Sequence, residues 1–311
     1  LLVEDYVGAQ LEGQMTHGLG KLLLLDAALA ARRGEPRVVI DTGAYALIDG
    51  NGELGHICAL KAIDLLTEKA QTLGIAMVGI VNFARYGRLR VIGRRIGERG
   101  YVGIVLNNAG PPAVVPFGGI DPILGTNPLC IAFPGESGLV VDISTSMRVW
   151  GEIRQAMLEG RELPAGAFID RAGKPTRNPG EAEAVVPFGD AKGYALCLAV
   201  EILGGALLGA KMGLQVESQY DLGCLMIAIS PAAFHATTEL TDNIRSLCAD
   251  IRQSRPAPGV EAVTVPGDRS RTQRSAAESA GVVTIDTLTY SQLEEMRRRV
   301  GVGLESTNKV D

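Results

Sequence analysis

The chain has 311 residues, enough to bury a large core as one domain or as two interleaved lobes. Hydrophobic residues make up 46% and charged residues 21%, which excludes a disordered chain, and a formal net charge of −5 gives no footing for nucleic acid or anionic lipid. The five cysteines, at 58, 130, 197, 224 and 248, form no CxxC pair and mostly sit in apolar runs; they read as reduced thiols of a cytoplasmic protein.

The chain opens without Met on "LLVEDYVGAQ", which reads as the interior of a helix and implies sequence ahead of Leu1. "HICALKAIDLLTEKAQTL" (56–73) places Ile57, Leu60, Ile63, Leu66 and Leu73 near one helical face. "GIAMVGIV" (74–81) follows as a buried strand, then "VIGRRIGERG" (91–100) as a basic helix and "YVGIVLN" (101–107) as a second strand. The basic clusters 88–95 and 297–299 lie among acidic residues and read as solvated helix faces. "NPLCIAFP" and "GLVVDIS" are two more strands joined by "GESG", and the polar, Pro- and Gly-rich segment 152–187 is a long excursion that covers or serves a site. "AKGYALCLAVEILGGALLG" (191–209) predicts a buried helix, and no apolar run reaches the roughly 18 residues of a membrane span. "GCLMIAIS" (223–230) is a strand. Pro231 opens one long amphipathic helix through Gln253 that carries His235, a structural histidine. "GVVTID" (281–286) reads as a strand. The last helix starts at a capping box of Ser291 and Glu294 and stops at Gly301. Alternating strands and helices predict an α/β protein.

Several site chemistries are absent from the sequence. No GxGxxG follows a strand, "DRAGKPT" fails as a phosphate loop at Phe168 and Pro175, and no HExxH or GxSxG occurs. Three stretches instead put turn residues and polar groups at strand ends, where α/β proteins bind ligands. They are "PFGGIDPILGTNPLCIAFP", "VVDISTSM" and "PFGDAKGYALCLAVEILGG", the last with Lys192 at a helix opening suited to phosphate.

The order of these motifs resembles the malate/L-lactate dehydrogenase family of nicotinamide-dependent oxidoreductases, which includes L-sulfolactate and ureidoglycolate dehydrogenases and Δ1-piperideine-2-carboxylate reductases. "THGLGK" stands for the family's SHGxxR, "DGNGELGH" for DGxxGxG, and "VPGDR" for PGE; "PFGG…LGTNP", "VVDISTS", "LPAGAFIDRAGKPTRNP" and "PFGDAKGYAL" fall between in sequence. The resemblance implies a non-Rossmann nicotinamide-binding α/β fold of the L-sulfolactate dehydrogenase type, with a mixed sheet flanked by helices. We expect a helical substrate lobe from 1–75 plus 265–311, a cofactor-binding lobe at 76–264, and a homodimer.

The implied reaction is reduction of a 2-oxo acid or cyclic imine 2-carboxylate by NADP(H) or NAD(H), with NADP slightly favoured. It needs a hydride source, a proton donor and a cation for the carboxylate. His17 takes the donor role. Lys21, where the family has arginine, holds the carboxylate with a point charge rather than a fork. Asp170 falls at the family's aspartate position, as an orienting partner for the histidine. Arg85 stands where many members have a second histidine and does not deprotonate. Either His17 alone handles the proton while Arg85 anchors the carboxylate, or the substrate differs, or the chain is a catalytically silent nucleotide-binding protein. Tyr86, Thr126 and Asn127 join the substrate set. The resemblance assigns the cofactor to His56, to Asp142, Ser144, Thr145, Ser146 and Arg148, to Ala191 and Lys192, and to Gly267, Asp268 and Arg269, with Arg148 or Arg269 for a 2′-phosphate.

Overall fold

A computed structural model describes residues 1–30, 32–84, 86–135 and 138–301. A seven-stranded mixed sheet is its spine. In chain order its strands are β1 (Arg37–Asp41), β2 (Tyr45–Asp49), β3 (Ile75–Val81), β4 (Val102–Asn108), β5 (Leu129–Ala132) and β6 (Val140–Ile143), and, after a small two-stranded sheet of β7 (Phe168–Ile169) and β8 (Ala184–Val185), β9 (Gly223–Ile229). The spatial order is β1-β2-β3-β9-β4-β5-β6, so β9 threads between β3 and β4. Only β2 and β3 run parallel; the other pairs are antiparallel. A Rossmann sheet is parallel, so the expected non-Rossmann mixed sheet is what the chain forms. The sheet also runs across the expected lobe boundary at residue 75, because β2 pairs with β3 in register Tyr45 to Met77 through Asp49 to Val81.

One sheet face carries α3 (Gly55–Leu73) and α4 (Leu89–Glu98). Ile48, Val78, Ile80, Val105 and Met226 pack there against Ile63, Leu66, Ile92 and Ile96. Burial of each such side chain contributes about 1.5–3 kcal/mol. The buried face of α3 differs from the periodicity reading. Cys58, Ala59, Ala62 and Ala70 lie against the sheet with Ile63 and Leu66, while Ile57, Leu60 and Leu73 are exposed. Small side chains let the helix approach closely, and a hydropathy pattern scores them as weak.

The remaining helices are α1 (Leu2–Leu11), α2 (Leu25–Ala30), α5 (Gly151–Glu159), α6 (Asp190–Gly204), α7 (Thr237–Gln253), α8 (Asp268–Ala280) and α9 (Thr287–Arg299). The segment 152–187 is ordered: α5 and the β7–β8 pair enclose a second core of Val114, Leu163, Phe168 and Val185. Helix α6 departs from the buried helix expected. With the turn that follows it, Asp190–Leu208 is long and apolar enough by composition to cross a membrane, and only 33% of it is buried. It packs on β4 through Val200, while Leu198, Ile202 and Leu203 face outward.

Three boundaries shift for local reasons. Pro231 opens a separate 3-10 turn, Pro231–Ala233, and α7 begins at Thr237, which leaves His235 exposed in the connection. Among the described residues, 281–286 pair with no strand. Helix α9 is capped by Asp286, whose carboxylate accepts Thr289 N–H at 2.8 Å, rather than by a box at Ser291. The five cysteines are buried and unbonded to one another.

Candidate active site

Helix α1 ends at Leu11, and the chain turns through Gly13 into a 3-10 turn, Met15–His17, and a second, Leu19–Leu24. Gln10 fixes this crossing. Its Oε1 accepts Leu19 N–H at 3.1 Å, and its Nε2 donates to the Thr284 carbonyl, tying the His17 segment to the approach to α9. A Cβ on Gly18 would overlap Gln10 Oε1, so a side chain there would displace the Gln10 amide. Thr16 Oγ1 lies 3.0 Å from His17 Nδ1 and anchors one side of the ring.

His17 lines two adjoining cavities. The larger, about 370 Å³, also receives Thr16, Thr126, Asp142, Ser144 and Arg90. The smaller, about 30 Å³, adds Lys21, Tyr86 and Tyr220. Gly87 borders both. His17 is thus common to a cavity with Thr126, Asp142 and Ser144 and to one with Lys21 and Tyr86. Tyr86 is stacked on Phe83 and donates its hydroxyl to Asn107 Oδ1 at 2.8 Å; burial pushes its pKa well up, so it is a fixed neutral wall. Arg85 lies outside the described residues.

The wall under the cleft is a buried ionic network that the sequence reading took for a solvated helix face. Arg88 Nε donates to Asp5 Oδ1 at 2.9 Å, and Arg88 Nη1 donates to Glu12 Oε2 at 2.6 Å and Gln14 Oε1 at 3.0 Å. Arg90 Nη1 donates to the same Glu12 oxygen at 2.9 Å and to Ser270 Oγ at 3.2 Å. The acids come from α1 and its C-cap, Asp5 and Glu12, more than seventy residues before the arginines they meet. Arg90 N–H donates to Asp142 Oδ2 at 2.9 Å, which connects the network to the cleft. Burial pushes the Asp142 carboxyl up to about 6, against the lowering effect of that hydrogen bond and of the Arg90 charge.

Other expected site residues take internal roles. His56 is buried with Nε2 3.0 Å from Asp5 Oδ2, and its ring meets those of Tyr6 and Tyr86 edge-on. Asn127, at φ 37 and fully buried, donates to Glu201 Oε2 at 2.6 Å and accepts Ala109 N–H at 3.1 Å. Its side chain braces the loop and does not face the cleft. Thr145 spends its hydroxyl on the carbonyls of Thr126 and Asn127. The Asp170 Oδ1 atom accepts the N–H groups of Ala172 and Lys174, both at 2.9 Å. That carboxylate closes its own turn instead of orienting His17. Asp268 is held by Arg252 and Arg271 and by Val265 N–H, which keep its carboxyl well below the usual range.

The cofactor stretches do meet. Met147 N–H donates to the Val186 carbonyl at 2.8 Å and Phe188 N–H to the Thr145 carbonyl at 3.1 Å, stitching 144–148 to the start of α6 with Ala191 and Lys192. Ser144 Oγ and Ser146 Oγ are hydrogen-bonded to each other, and Lys192 is exposed. A Cβ on Gly193 would run into the Phe188 carbonyl, which explains glycine after the lysine. Ser270 brings the start of α8, next to Gly267 and Arg269, against Arg90.

Residues 1–294 match the malate/L-lactate dehydrogenase family. The chain belongs to that family. Among relatives of this malate/L-lactate dehydrogenase-family chain, the L-sulfolactate dehydrogenase of Methanocaldococcus jannaschii is 33% identical over 98% of this chain and 91% of its own length. Escherichia coli ureidoglycolate dehydrogenase (NAD(+)) is 32% identical over 78% and 72%. The sulfolactate dehydrogenase structure from M. jannaschii superposes with a TM-score of 0.86 at 32% identity, covering 95% of this chain and 88% of that one. The Δ1-piperideine-2-carboxylate reductase of Pseudomonas syringae superposes at 0.79 with 27% identity, over 95% and 91%. The fold is of the sulfolactate dehydrogenase type, and the protein is an oxidoreductase of this family.

Proposed function

We propose that the protein is a nicotinamide-dependent reductase of a small carboxylate-bearing substrate, a 2-oxo acid or a cyclic imine 2-carboxylate, with His17 as proton donor. The observation that carries the reading is the shared cleft, in which His17 meets Thr126, Asp142 and Ser144 at the ends of β5 and β6. The donor set suits a dinucleotide. Asp142 keeps Oδ1 without a hydrogen bond among the described residues, and Arg90 presents a buried Nε that has no partner. Asp142 would accept a ribose hydroxyl, and Ser144 with Lys192 would meet the phosphates.

The bound nicotinamide would supply the hydride. His17, held at Nδ1 by Thr16, delivers a proton to the substrate oxygen or nitrogen as negative charge develops there. Lys21 in the adjoining pocket attracts the substrate carboxylate, and buried Tyr86 limits the space beside it. The outward apolar side chains of α6, with Ile75 and Met77 exposed on β3, support a homodimer. The buried, unpaired thiols support a cytoplasmic setting.

The test is reduction of a panel of 2-oxo acids and cyclic imines, followed by loss of nicotinamide absorbance. His17→Gln lowers kcat by roughly 10²–10⁴-fold with cofactor binding retained. Cofactor binding without turnover of any substrate by the unaltered protein would instead identify a silent nucleotide-binding protein, and unchanged turnover by His17→Gln would remove the assigned donor.

A further inference from the structure

We propose that a second cleft, between α4, Val140 of β6 and α8, seats the 2′-phosphate of the cofactor, and that Arg94 selects NADPH over NADH. The inference rests on the nicotinamide-cofactor reading above. This cleft measures about 550 Å³ and shares Arg90 with the His17 cleft.

Arg94 is the surplus cation on its wall. It is half-buried and, among the described residues, has neither an ion pair nor a hydrogen bond. The acids beside it are already matched. Glu4 takes Arg95 at 2.7 Å, and Glu12 takes Arg88 at 2.6 Å and Arg90 at 2.9 Å. Glu98 also lies nearest Arg95, at 3.9 Å. The other arginines of the cleft are engaged as well: Arg271 with Asp268 at 2.5 Å and Arg274 with Glu278 at 2.8 Å. A partly buried guanidinium without a counterion carries a desolvation penalty that an anion relieves.

Arg90 and Arg94 lie one turn apart on the same side of α4, separated by about 6 Å of helix rise. Both border the cleft, and the two like charges face a common space. Arg90 Nε, buried and unpartnered, adds a donor at the junction of the two cavities. Strand β6 continues the track. Val140 borders the arginine cleft and Asp142 the His17 cleft, two residues apart and so on the same strand face. A dinucleotide with its nicotinamide at His17 and a ribose at Asp142 would leave its adenosine half on the arginine side. A 2′-phosphate carries about two negative charges and presents the oxygens a guanidinium fork grips. Arg148 and Arg269, the two positions expected from sequence, are exposed and border neither cleft, and Arg148 lies 3.9 Å from Glu152.

The experiment titrates NADPH and NADH into the purified protein by nicotinamide fluorescence, with Arg94→Gln and Arg94→Lys beside it. Arg94 has no partner among the described residues, so both variants keep the parent's melting temperature. The unaltered protein binds NADPH more tightly than NADH. Arg94→Gln weakens NADPH about tenfold, the size of one charge-assisted phosphate contact, and NADH less than about twofold. Arg94→Lys recovers part of the loss, and adenosine 2′,5′-bisphosphate competes with NADPH only while Arg94 is present. Equal losses for both cofactors would place Arg94 on the pyrophosphate and overturn the assignment, as would no loss for either. Failure of the unaltered protein to bind either cofactor would remove the cofactor reading and this inference together. Binding of both, with a His17-dependent turnover but an unchanged NADPH to NADH ratio in Arg94→Gln, would overturn this inference alone.

Discussion

Removing the Arg88 side chain tests whether the ionic network under the cleft is structural. In Arg88→Ala, Asp5 loses the 2.9 Å bond from Nε, its main-chain carbonyl loses a 2.8 Å bond from Nη2, and Glu12 loses the 2.6 Å bond from Nη1. Breaking a buried pair by deleting one partner costs about 3–5 kcal/mol, because a charge is left without compensation. Here the compensation is partial. Asp5 keeps His56 at 3.0 Å, and Glu12 keeps Arg90 at 2.9 Å. That places the loss at the lower end, about 3 kcal/mol. With an unfolding entropy of about 2 cal/mol/K per residue, a chain of this length has about 0.65 kcal/mol/K in total, so the melting temperature falls by about 5 °C. Chemical denaturation at neutral pH measures the loss directly. A cycle with Asp5→Asn should show a coupling above about 1 kcal/mol, since the two side chains touch. A loss below about 1 kcal/mol, or simple additivity in the cycle, would refute the network as a stabilising unit.

Three further outcomes follow from the same contacts. Gly18→Ala forces the Gln10 amide off Leu19 N–H, and it lowers stability by about 1–3 kcal/mol and turnover with it; Gln10→Ala in the same chain should restore part of the stability in a denaturant titration. Asn127→Ala strands the fully buried amide's partner Glu201 and should lower stability by about 3 kcal/mol, read by denaturant midpoint, with Asn127→Asp no better because two carboxylates would then meet. Asp142 has its folded pKa raised from 3.8 to about 6, so its contribution to stability is present at low pH and lost as pH rises through about 6. Asp142→Asn should therefore match the parent's melting temperature near pH 4 and exceed it at pH 8, and a difference that stays flat over that range would contradict the buried carboxyl.

The sheet was largely legible, since β3, β4, β5, β6 and β9 are short apolar runs bounded by turn residues. Strands β1 and β2 were not read, because "RVVID" sits at an exposed sheet edge and "YALID" alternates over only five residues. Helix α9 was recognised from its polar end, but Asp286 rather than Ser291 starts it, since the cap is decided by which side chain reaches a free N–H. In the site, His17 lines one cavity with Thr126, Asp142 and Ser144 and an adjoining one with Lys21. His56, Asn127 and Asp170 carry the same residue types, yet each is turned to an internal partner. Residue type and spacing name the groups that can act; only the direction of the side chain separates a wall from a working surface. Arg88 and Arg90 show the converse. Their charge suggested solvent, and their partners Asp5 and Glu12, more than seventy residues away in sequence, were invisible to any local pattern.

Strand β9 occupies the middle of the sheet although it is made after most of the chain. Until residue 229 leaves the ribosome, β3 and β4 each keep an unpaired edge where β9 will lie. The two halves of the sheet cannot close on each other before β9 is made. Nascent chains halted short of β9 should accordingly be held by chaperones and cut readily by protease, and protection should arrive in one step as that strand emerges.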